Sequence, residues 1–70
     1  PGDNRITVVV EATGGMSVGP GDRVRRGQDL GLSPDFGGRR VLSPVSGVVE
    51  ACGFDSGRHV FEITIVAEEE

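Results

Sequence analysis

Few residues in this chain carry reactive groups, and their spacing limits what they can do together. Cys52 is the single cysteine and His59 the single histidine. A lone thiol makes neither an internal disulfide nor a cysteine-cluster metal site. Set among apolar strand residues, Cys52 reads as a small buried hydrophobe rather than a nucleophile. His59 offers an imidazole for ligation or acid–base work. No carboxylate or cysteine stands at ligand spacing from it, which favours a structural role. Asp22 closes Gly19-Pro20-Gly21-Asp22, where an aspartate after glycine is ordinary turn chemistry rather than a catalytic acid. Neither Gly19-Pro20-Gly21 nor Gly37-Gly38 sits in the strand–glycine–helix context of a phosphate loop. No catalytic residue and no metal ligand set is therefore assigned, and the segment is not expected to be an enzyme on its own.

The cationic chemistry is unusual. All seven basic residues are arginine, and the chain has no lysine. Arg23, Arg25 and Arg26 form a basic patch beside Val24. Ion pairs with Asp22, Asp29 or the terminal acids are its expected fate. A net charge of −4 and the lack of interleaved aromatics argue against a nucleic-acid partner. Phe36, Arg39 and Arg40 stand in a glycine-rich stretch. An aromatic next to arginines is what an interaction surface uses; the competing reading folds Phe36 back onto the core.

The elements that must position these groups are short. Seventy residues with 12 glycines and 4 prolines make one small domain, residues 1–70, with many turns. β-Branched residues outnumber good helix formers, so the chain reads as all-β. Expected strands are Ile6 to Glu11, a short one over Met16 and Val18, Arg23 to Arg25 with Val24 inward, and Asp29 to Leu32. Ser33 to Arg40 is a loop or hairpin tip. A further strand is expected over Val48 to Cys52 and a turn over Gly53 to Gly57. His59 to Val66 is expected as the longest strand, with His59, Phe61, Ile63 and Ile65 on one face. Gly15-Met16-Ser17-Val18 before Gly21-Asp22 faintly echoes Gly47 to Gly57, which would fit two similar halves. Residues 67–70 read as an acidic, disordered tail. No apolar run approaches membrane-spanning length and no signal-peptide pattern is present, so direct membrane insertion is not expected. The start at Pro1 is read as the mark of a piece cut from a longer protein.

Two segments carry a family resemblance. Val18-Gly19-Pro20-Gly21-Asp22-Arg23-Val24-Arg25-Arg26-Gly27-Gln28-Asp29-Leu30 resembles the V-x-x-G-D-x-V-x-x-G-Q-x-L segment of biotinyl and lipoyl domains. Leu42-Ser43-Pro44-Val45-Ser46-Gly47-Val48-Val49 is similar to their later V-x-A-P-x-x-G-x-V segment, in the same order. The resemblance implies a barrel-sandwich hybrid, a flattened β-barrel of short strands. In modified members a lysine at a hairpin tip between the segments carries biotin or lipoate. Here that interval reads Ser33 to Arg40, and a guanidinium cannot replace the amine of the cofactor amide. A carrier role is excluded on that ground.

Among unmodified relatives, Gly21-Asp22-Arg23-Val24-Arg25-Arg26-Gly27-Gln28-Asp29-Leu30-Gly31 and Ser43-Pro44-Val45-Ser46-Gly47-Val48-Val49-Glu50-Ala51, with the strand Phe61 to Ile65, resemble the domain of Rnf-type electron-transport complex C subunits. The resemblance implies a non-catalytic structural or interaction domain of an iron–sulfur oxidoreductase subunit. Its partners would be other domains of the parent or subunits of a membrane-associated complex, with a cytoplasmic location peripheral to the inner membrane. The chain departs from that pattern at Glu11 to Gly15, where a histidine-glycine stretch is common, and has a shortened segment from Cys52 to His59. One cysteine cannot ligate a cluster that takes four, so any iron–sulfur cluster would lie elsewhere in the parent. An adaptor domain of a membrane-fusion or efflux protein shares the implied fold, as does a degenerate biotin or lipoate carrier.

Overall fold

In the computed structural model, residues 4–34 and 38–68 are described. They form six β-strands: β1 (Arg5–Glu11), β2 (Arg23–Val24), β3 (Asp29–Leu32), β4 (Arg40–Leu42), β5 (Gly47–Asp55) and β6 (Val60–Ala67). No described residue is helical, so no helix is long and apolar enough to cross a membrane. The all-β reading holds. β1, β6, β5 and β2 make one four-stranded sheet in that order, and β3 and β4 make a separate hairpin. Every pairing is antiparallel.

Alternation decides which residues enter the core, because successive side chains on a strand face opposite ways. On β1, Ile6, Val8 and Val10 lie opposite Ile65, Ile63 and Phe61 of β6. On β5, Val49 and Cys52 continue the same face opposite Ile65 and Ile63. Val10, Val49, Ile63 and Ile65 are buried, and the β3–β4 side closes over them with Leu30 at 0% exposure. Val24 enters from β2 and Val18 from the preceding loop. The opposite face carries Arg5, Thr7 and Glu62, all at least partly exposed.

Two local irregularities shape the fold. β5 shifts register against β6 between Val49 and Ala51, which leaves Glu50 as an extra residue; such a bulge bends and twists its strand. Glu50 takes both contacts of the Arg5 Nε, at 2.8 and 2.9 Å, tying β1 to β5 across the intervening strand. At β3, Gly31 has φ +148° and lies so close to β1 that a Cβ would stand 3.0 Å from the Gly15 carbonyl oxygen and 3.1 Å from the Val10 Cβ. Only glycine accepts both that backbone angle and that approach.

Several expected elements differ from those observed. Met16 makes only an isolated bridge to Gly31, and the Met16 to Val18 segment is no strand. Gly14, Gly15 and Gly19 surround it, and glycine-rich chain forms extended ladders poorly. For the same reason the echo with residues 47–57 is not a structural repeat: one segment is a loop and the other is β5. β5 does not stop at Cys52 but runs on to Asp55, pairing Gly53, Phe54 and Asp55 with Glu62, Phe61 and Val60. At nine residues it is one longer than β6. The turn falls at 56–59 instead, where Asp55 Oδ1 accepts from the Gly57 and Arg58 amides at 3.0 and 3.2 Å. His59 closes that turn at φ +56°, so it lies before the strand and not on its apolar face.

Candidate interaction surfaces

β3 and β4 are held together at the base of their connecting loop by the Ser33 amide donating to the Arg39 carbonyl at 2.8 Å. Arg39 and Arg40 are exposed. Arg40 Nε donates to Asp29 Oδ2 at 2.7 Å across the hairpin. That hydrogen bond, with the charge of Arg40, holds the Asp29 carboxyl below the usual aspartate range. Arg40 is thus part of the hairpin's own surface. Phe36 lies outside the described residues, so the three-residue tip is represented by its two arginines.

A second surface lies at the other motif. Asp22 shapes it as a turn residue: its Oδ2 accepts from the Gly19 amide at 2.8 Å while its own amide donates to the Gly19 carbonyl at 3.1 Å. Gln28 closes the next turn twice, by its amide to the Arg25 carbonyl at 2.9 Å and by its Oε1 from the Arg25 amide at 3.0 Å. Gly27 supplies the φ of +87° that this reversal needs. The Arg26 amide donates to Ser46 Oγ at 3.0 Å, and the Glu68 amide to the Ser46 carbonyl at 2.8 Å. The result is an open cleft of ≈ 450 Å³ lined by Arg23, Val24, Arg25, Arg26, Ser46 and Glu68. Arg23 Nη1 meets Glu68 Oε1 at 2.6 Å, so one of the expected pairs with the terminal acids forms. The expected pairs with Asp22 and Asp29 give way to the turn contacts of Asp22 and to the Arg40 pair.

The third surface was not legible in advance. Phe54 is 54% exposed, packs against Phe61 at a centroid distance of 5.4 Å and meets His59 edge-on at 5.9 Å. Reading residues 53–57 as a turn hid it. The period-two run Cys52, Phe54 was the available signal. Nearby, Glu11 accepts from the Thr13 and Gly14 amides at 2.8 and 3.1 Å. A hydrogen bond from the Thr13 side chain, then these amides and the His59 charge, lower its pKa against a smaller opposing effect of desolvation.

Cys52 is half-buried against the core. Desolvation, then the charge of Asp22, pushes its thiol pKa up. A raised pKa lowers the thiolate fraction at any given pH, and the thiolate is the nucleophile. Cys52 in the folded chain is therefore expected to react with iodoacetamide at pH 8 several-fold more slowly than in the urea-unfolded chain. Equal rates would contradict this placement.

No three His, Cys, Asp or Glu side chains converge as metal ligands among the described residues. The geometry offers turns, an arginine cleft and an aromatic edge. Compared with known proteins, the chain matches no family model, no curated sequence and no solved structure.

Proposed function

We propose that this chain is a lipoyl-like barrel-sandwich domain without a prosthetic group, and that it serves as a structural and interaction module of a larger iron–sulfur electron-transport subunit. One observation supports the fold reading above the others. The two motif segments are bonded directly to each other. Gly21 donates to the Val49 carbonyl and Val49 to the Asp22 carbonyl, each at 2.8 Å; Gly27 donates to the Ser43 carbonyl and Ser43 to the Gln28 carbonyl, also at 2.8 Å. The glycine turns of the first segment thus seat the crossover of the second. Ser43, 2% exposed, completes the joint by donating its hydroxyl to the Val45 carbonyl. A buried hydroxyl so satisfied fixes a backbone path rather than serving as a nucleophile.

The electron-transport parent rests on the sequence resemblance of residues 21–31, 43–51 and 61–65 alone. Its test is an iron and sulfide assay with a visible spectrum on the anaerobically purified full-length parent. A brown protein with stoichiometric iron and sulfide is expected. A colourless, iron-free protein after attempted reconstitution would reject the electron-transport parent and favour an adaptor or degenerate carrier domain.

A further inference from the structure

The arginine cleft has the construction of a carboxylate receptor. Arg23, Arg25 and Arg26 fall within one short stretch, and the backbone that carries them is fixed at several points. Arg25 is held through its amide and its carbonyl by Gln28, and Arg26 through its amide by Ser46. Such fixing reduces the ordering cost of binding. Val24 anchors the stretch in the core at 1% exposure, so its arginine neighbours on either side face outward.

One carboxylate is already seated there. Glu68 reaches Arg23 Nη1 at 2.6 Å from the end of β6. It shows in this molecule what chemistry the cleft accepts. The Arg25 guanidinium makes no hydrogen bond or ion pair among the described residues, so a donor fork remains open beside the occupied one. A planar guanidinium matches a carboxylate in two-pronged geometry. Among the described residues the cleft is lined by no aromatic side chain, and stacking on aromatics is what a nucleic-acid site uses.

We propose that the cleft of Arg23, Arg25, Arg26 and Ser46 binds an acidic peptide segment of a partner protein, and that Glu68 is a tethered competitor for the same place. The proposal deepens the interaction reading and is independent of whether the parent holds iron. The seated Glu68 sets the threshold that a partner must exceed. A partner with several closely spaced carboxylates does so by engaging more than one arginine at once.

The test is fluorescence anisotropy with a labelled hexaglutamate peptide at low and physiological salt. Wild-type chain is expected to bind, more weakly as salt rises, because exposed charge pairs are screened. Arg25→Ala is expected to weaken binding about fivefold, on the order of one exposed charged contact. Glu68→Gln is expected to tighten it about threefold by removing the competitor. Arg58→Ala, at the far end of the β5–β6 hairpin, serves as the charge-matched control and should change nothing. The opposite signs of the Arg25 and Glu68 variants are the signature of the site. No binding at low salt, an Arg58→Ala effect equal to that of Arg25→Ala, or no tightening by Glu68→Gln would each overturn the proposal. So would a single-stranded oligothymidine that binds more tightly than the peptide. None of these outcomes bears on the iron assay of the parent.

Discussion

Gly47→Ala is expected to remove more than half of the stability of this domain, while Gly53→Ala on the same strand leaves it intact or slightly more stable. Gly47 pairs with Ala67 where β5 begins. A Cβ at Gly47 would collide with the Val66 carbonyl oxygen and crowd the Val66 carbon and Ala67 Cα. All three are backbone atoms of the central strand β6, so no side chain can turn aside. The methyl must push β5 off β6, at a cost of about 3 kcal/mol or more. A domain of this size has a total stability on the order of 5 kcal/mol, and the same displacement strains the joint at Val24. At Gly53 the nearest atom to a Cβ is Glu62 Oε1 at 3.8 Å, an ordinary contact with a flexible side chain. There alanine gains about 0.5 kcal/mol by lowering the entropy of the unfolded chain. Urea unfolding followed by circular dichroism separates the cases. A Gly47→Ala chain with a near-native midpoint would refute the close approach of β5 to β6.

Leu30→Ala should be the most damaging of the leucine truncations, at about 2–5 kcal/mol. Leu30 is fully buried, at 0% exposure, among Val10, Val24, Ile63 and Ile65, and it is the largest side chain that the hairpin contributes. Its removal leaves a cavity between two layers held apart by their own backbone pairing, so the site cannot readily collapse. Leu42→Ala is expected to cost under about 1 kcal/mol, because Leu42 is 54% exposed. Equal losses at the two positions, measured by urea midpoints, would show that the hairpin does not lie on the sheet as described.

These two contrasts mark where sequence reading reaches its limit. Leu30 and Leu42 are alike in type and both flank glycine-rich turns. What separates them is the irregular register between Asp29 and Gly31, together with the positive φ at Gly31, which lays β3 over β1. Gly47 and Gly53 are likewise indistinguishable until β6 lies beside them. Ser43 gave no signal of burial, since a hydroxyl before proline reads as a turn residue. The strand limits of β3 were legible because leucines and a following Ser-Pro bound it on both sides. The extension of β5 to Asp55 was not, because Gly53 and Gly57 resemble a turn when the partner strand is out of view.

Composition and local pattern by themselves determined the all-β class, the turn at 19–22, the inward valine of β2, and the absence of a lysine to carry a prosthetic group. Each follows from properties a residue has alone or with near neighbours: β-branching, freedom at φ, side-chain nucleophilicity. Tertiary structure decided the rest. It paired Arg40 with Asp29, seated Glu68 on Arg23, joined the Gly27 turn to Ser43 and exposed Phe54 beside His59 and Phe61. These contacts join residues from 5 to 45 positions apart, and their partners become neighbours only when antiparallel register has been set. The period-two pattern names the face of a strand but not the strand that will lie against it.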